Sequence, residues 1–143
     1  MANEKVLLVD DEKEFTETLK ERLELRGMAV STAASGQEAL GILEKRSFDV
    51  IFLDLQMPGM DGIETLKQIT LKDPDAQVIL LTGHATVPTS VEAMKHGAVD
   101  YLTKPAEMAD LTERIGAAAA TRVALVEKRS IEKIEELMKR KGW

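Results

Sequence analysis

Cysteine is absent from the 143 residues. That excludes disulfides and thiolate metal sites, and it suits a cytosolic home. No window approaches 18 continuous apolar residues, so the sequence predicts no membrane span. The opening Met1-Ala2-Asn3-Glu4-Lys5 lacks the charged-then-apolar pattern of an export signal, and the expected location is cytoplasmic. There is no internal repeat and no low-complexity tract. Positive charge is in deficit, with 19 Lys and Arg against 25 Asp and Glu and a net charge of −6. Residues 127 to 143 carry six Lys/Arg against four Glu, which leaves −8 for residues 1 to 126. So acidic a segment makes a poor direct partner for nucleic acid and a suitable host for a cation.

The length fits one domain with chain to spare, and a 44% apolar fraction suffices for a sizeable core. Lys5 to Asp10 is a near-continuous apolar run, as a strand buried on both faces requires. Phe15, Leu19 and Leu23 share one face of a following helix that ends near Gly27. Met28 to Ala33 reads as a second strand, and Ser35 with Glu38 forms a capping box for the next helix. Asp49 to Asp54 is the third strand, Met57 to Gly62 a turn, and Ile63, Leu66 and Ile69 open a third helix. Gln77 to Thr82 is the fourth strand. A helix from about Pro88 to Gly97 precedes a short fifth strand, Val99 to Leu102. Met108, Leu111 and Ile115 place a fifth helix after Pro105. Five βα units predict an α/β fold, a parallel sheet with helices on both faces. In such sheets ligands bind beyond the carboxyl ends of the strands.

Asp10, Asp11, Asp54, Thr82 and Lys104 all fall at or just past those ends. Carboxylates a few ångströms apart repel one another unless a cation joins them. Magnesium takes a few carboxylates together with water and phosphate, so Asp10, Asp11 and Asp54 read as a magnesium site. The bland alternative is that Asp10 or Asp11 caps the first helix. Asp54 resists a bland account, because a charge ending a buried strand is expensive without a partner. Lys104 follows an apolar strand and has the reach to pair with Asp54 or with a phosphate oxygen. A cis Lys104–Pro105 bond would suit a tight turn that aims the lysine. Thr82 reads either as a hydroxyl donor to a phosphoryl group or as a β-branched residue chosen for the strand. Gly83 beside it leaves room for such a group.

Four segments together resemble the receiver domain of bacterial two-component response regulators. They are Val6 to Asp11, Asp54 to Gly62, Leu81 to His84, and Gly97 to Pro105. The resemblance covers about residues 4 to 120, and Gly83 to Gly97 is most similar to receivers of the sigma-54-activator type, although Pro88 is unusual there. It implies a flavodoxin-like, three-layer sheet of strand order 2-1-3-4-5. It implies that Asp54 accepts a phosphoryl group. Asp10, Asp11, Asp54 and the backbone carbonyl of Gln56 would hold Mg2+ or Mn2+. Thr82 would be the switch hydroxyl, Lys104 the phosphate partner and Tyr101 the switch aromatic, coupling the site to the surface of the fourth helix, fifth strand and fifth helix. Tyr101 also reads as ordinary strand packing. The implied donor is a sensor histidine kinase or histidine phosphotransfer protein. Gln56 and His84, two residues beyond Asp54 and Thr82, would tune the lifetime of the adduct; His84 reads equally as a solvated loop residue. His96 reads as a partner of a helix C-terminus.

The division expected is a receiver at 1–120 and a helical extension at 121–143 with no effector domain following. Residues 117 to 141 lack Gly and Pro and continue the fifth helix. Val123, Val126, Ile134 and Leu137 keep a loose heptad-like spacing interrupted by Ser130. The tail is either a solvated linker helix or a helix for a homodimer or for mounting an output domain. Two rival functions stand beside the signalling module. An aspartate-nucleophile phosphohydrolase needs a second acid two residues past its nucleophile, where this chain has Gln56. A pseudo-receiver scaffold would not need the intact acidic pair, Asp54 and Lys104.

Overall fold

The computed structural model describes residues 3–57, 61–83 and 87–142. Strands and helices alternate as β1 (Lys5–Val9), α1 (Lys13–Leu25), β2 (Ala29–Ala33), α2 (Gly36–Leu43), β3 (Val50–Leu53), α3 (Gly62–Lys72), β4 (Val78–Thr82), α4 (Val87–Lys95), β5 (Ala98–Thr103) and α5 (Met108–Arg140). All strands are parallel, in the order β2-β1-β3-β4-β5.

The strands read as unbroken apolar runs because both faces are covered. Val6, Leu8, Val50, Phe52, Ile79 and Leu81 pack against Leu19 and Leu23 of α1 and Leu111, Ile115 and Ala118 of α5. Their neighbours Leu7, Val9, Ile51, Leu53, Val78 and Leu80 face the other way, onto Ala39 of α2, Leu66 and Ile69 of α3 and Ala93 of α4. Alternate residues thus feed two cores, the period-two rule of a strand. At roughly 1.5–3 kcal/mol for each fully buried aliphatic side chain, these two cores dominate the stabilisation of the fold.

Local chemistry sets the joints. Ser35 Oγ accepts from the Glu38 N–H at 3.1 Å, and Glu38 Oε1 accepts from the Ala34 N–H at 3.0 Å, so the expected capping box forms at α2. Gly97 ends α4 with φ +110°, and a Cβ there would lie 2.6 Å from Thr70 Cγ2. β5 is an edge strand and spans one residue more at each end than its apolar run suggested, because its outward side chains are exposed. α5 runs unbroken for 33 residues, from Met108 to Arg140. Val123, Val126, Ile134 and Leu137 are exposed on it. Its middle is fastened to the α3–β4 loop: Arg122 Nη1 lies 2.8 Å from Asp73, and Arg129 Nε 2.7 Å from buried Asp75. No helix among the described residues is long and apolar enough to cross a membrane.

Candidate functional site

The chain passes from β1 outward to β2 on one side and to β3 on the other. The crevice at the carboxyl ends of β1 and β3 is the topological switch point. Asp10 and Asp54 stand there, each one residue past its strand. Their backbones extend the ladder: Asp10 N–H donates to Ala33 O and Asp54 N–H to Val9 O, both at 3.0 Å. Lys104 N–H donates to Thr82 O at 3.1 Å, which fixes the end of β5 against β4. The Lys104–Pro105 bond is cis.

Both acids turn back on their own chains. Asp10 Oδ1 accepts from the Glu12 N–H at 2.9 Å, and Asp54 Oδ1 from the Gln56 N–H at 3.2 Å. The residue that caps α1 is Glu12, with no side-chain capping bond, so neither Asp10 nor Asp11 serves as its N-cap. Beyond Asp54 the loop is pinned at Gly62. Its N–H donates to Leu55 O at 3.1 Å, and a Cβ would meet Leu55 Cα at 2.4 Å and Asp54 O at 2.8 Å. Only glycine permits that approach of α3 to the segment after Asp54.

Asp10 and Asp54 are 5% and 3% exposed, and Thr82 is fully buried. The Lys104 ammonium lies 2.6 Å from Asp10 Oδ2, 2.5 Å from Glu12 Oε1 and 3.6 Å from Asp54 Oδ2. It also stands 4.3 Å from the centroid of the Phe15 ring. Burial lowers an ammonium pKa, but the bonds to Asp10 and Glu12 more than offset it and hold Lys104 above its ordinary value. An ion pair ordinarily lowers its carboxylate. Asp10 moves the other way: burial pushes it up and the Asp54 charge adds to that, against the pull of Lys104 and the Glu12 N–H. One ammonium does not satisfy this pocket.

Among the described residues, one group of three carboxylates has oxygens within 4.8 Å of one another: Asp10, Glu12 and Asp54. Three carboxylates against one ammonium leave two negative charges, on hard oxygen donors. That donor set fits Mg2+ or Mn2+. The sequence-predicted residues are distributed as follows. Asp10, Asp54 and Lys104 meet, with Thr82 at the end of the strand beside them. Asp11 is exposed and outside the group of three. The Gln56 side chain is exposed beside the site. Tyr101 is 47% exposed on β5. His96 lies just past α4, and its N–H donates to Glu92 O and Ala93 O. His84 lies outside the described residues. Sequence reasoning missed Glu12 and Phe15. The available signal was the third acid of Asp10-Asp11-Glu12 and an aromatic one helical turn further on.

Comparison with known proteins agrees with this geometry. Residues 6–116 match the family model of the response regulator receiver domain. The C4-dicarboxylate transport transcriptional regulatory protein DctD of Rhizobium meliloti is 36% identical over 131 residues, 92% of this chain and 28% of its own length. The chain therefore spans under a third of that relative. A CheY-like receiver domain protein from Methanospirillum hungatei superposes with a TM-score of 0.81 at 30% identity, covering 86% of this chain and 98% of that one. The response regulator protein TrrA of Thermotoga maritima, solved in complex with Mg2+–BeF, superposes at 0.73 with 33% identity, covering 80% and 98%.

Proposed function

The chain belongs to the response regulator receiver domain family, and we propose that Asp54 is the residue through which it accepts a phosphoryl group. The observation that carries this assignment is the convergence of Asp10, Asp54 and Lys104 at the β1/β3 switch point. An Asp54 carboxylate oxygen attacks phosphorus of the donor. The P–N bond of a phosphohistidine breaks as the P–O bond of an acyl phosphate forms, and the imidazole keeps the electron pair and takes up a proton. Lys104 offsets charge on the transferred group, and the rigid strand ends supply positioning. Asp10, Asp11, Asp54 and the Gln56 carbonyl would hold Mg2+ while Glu12 stays paired with Lys104, and the ion when bound neutralises phosphoryl and carboxylate charge. Thr82 then donates to the new phosphoryl oxygen, and Tyr101, outward on β5, is free to turn toward the position Thr82 leaves. That couples the charge to the α4–β5–α5 surface.

The donor is a sensor histidine kinase or a phosphotransfer protein, and the setting is cytoplasmic. Residues 1–120 form the receiver unit and 121–143 its helical extension. Incubation with acetyl phosphate and Mg2+, followed by intact mass, tests the reading. One phosphoryl adduct, absent in Asp54→Asn, is the expected result. Steady turnover of phosphate monoesters would favour a phosphohydrolase, and no adduct with any donor would favour a scaffold.

A further inference from the structure

The single ammonium of the pocket is not centred among its three carboxylates. Lys104 Nζ touches Glu12 and Asp10 at 2.5 and 2.6 Å, but stands 3.6 Å from Asp54. Glu12 is the N-cap of α1 and Phe15 lies in its first turn, so α1 supplies two of the groups that hold the ammonium. Glu12 differs from the two aspartates in being at the rim, with a side chain 62% exposed. Its carboxylate makes no capping bond to the helix and is turned instead onto the Lys104 ammonium.

We propose that Glu12 is a positioning residue for Lys104, tethering the ammonium on the Asp10 side of the pocket and away from the place a phosphoryl group takes on Asp54. The inference rests on the reading of Asp54 as phospho-acceptor. A phosphoryl oxygen must draw Lys104 out of the Glu12 contact before the lysine can neutralise it. The Glu12 carboxylate also repels a dianionic donor at the mouth of the pocket. Both effects slow acyl phosphate formation. Because Glu12 is exposed, both are modest and screened by salt.

The test compares wild type, Glu12→Gln and Glu12→Asp in phosphorylation by acetyl phosphate with Mg2+, at low and at high salt. Glu12→Gln should react two- to fivefold faster at low salt, about the size of one exposed ion pair. The gain should shrink toward unity near 1 M salt, where the screening length is about 3 Å. Glu12→Asp, which keeps the charge on a shorter stem, should fall between. A second readout needs no phosphorylation: in 15N-lysine-labelled protein the Lys104 ammonium protons should exchange with water faster in Glu12→Gln. A Glu12→Gln rate at or below wild type, a gain that ignores salt, or unchanged ammonium exchange overturns the tether. Failure of wild type to form any adduct removes the functional reading and the tether with it. A normal wild-type adduct with an unaltered Glu12→Gln rate removes the tether alone.

Discussion

Arg129 Nε lies 2.8 and 2.7 Å from the two carboxylate oxygens of Asp75, a residue 54 positions earlier in the chain. Asp75 is buried, and a buried carboxylate left without a partner is costly. The contact fastens the extension of α5 to the α3–β4 loop, at the end of the sheet away from Asp54. Together with Arg122–Asp73 it sets the direction in which the helix leaves the core. Arg129→Ala should therefore speed amide hydrogen exchange from about residue 124 onward and leave β1 and β3 protected. Exchange mass spectrometry reads this directly, and unchanged protection of the extension would contradict it.

Gly62 admits no side chain. A Cβ would overlap Leu55 Cα and Asp54 O, which are backbone atoms and cannot rotate away. Gly62→Ala should destabilise the fold by about 1–3 kcal/mol in urea unfolding. It should also slow phosphorylation, since the displaced segment carries Asp54. Wild-type stability and rate in this variant would refute the close approach.

The excess negative charge of the pocket predicts stabilisation by Mg2+. At a hundredfold excess over its Kd the ion should raise the unfolding free energy of wild type by about 2.7 kcal/mol. Asp10→Asn and Asp54→Asn should lose most of that gain. Equal stabilisation of all three proteins in a thermal melt would place the ion elsewhere.

Asp10 carries a sign that pH unfolding can check. Its folded pKa is raised above the ordinary 3.8 by burial, so in the window above 3.8 the folded state holds the proton more tightly than the unfolded chain. Stability therefore increases as pH falls through that window. In metal-free buffer, wild type should gain stability relative to Asp10→Asn as pH drops from neutral toward it; a relative loss contradicts the assignment. Lys104 acts at the opposite end. Its folded pKa is raised, so its contribution is intact at neutral pH and disappears only as pH climbs through a value above 10.5.

The legible parts of the sequence were those governed by local rules. Val6 to Val9 and Val50 to Leu53 read as strands because burial on both faces leaves no polar position. Ser35 and Glu38 announced a helix start because their capping bonds span three residues. Asp10, Asp54 and Lys104 were legible because the parallel order puts every strand's carboxyl end on one side.

What escaped depends on contacts between distant segments. Glu12 gains its place only when Lys104, 92 positions later, reaches it. Arg122 and Arg129 meet Asp73 and Asp75 only once α5 lies along the α3–β4 loop. The apolar run of β5 covers only Val99–Leu102 because an edge strand alternates exposed and covered residues.

Signalling by this domain requires an acyl phosphate at Asp54. Borohydride reduction of the acetyl phosphate-treated protein converts a phosphoaspartyl group to homoserine, and peptide mass mapping locates it. Phosphorylation at Asp54 predicts homoserine at position 54 and at no other aspartate. Its appearance at Asp10 or Asp11, or its absence from a protein that has gained a phosphoryl group, would contradict it.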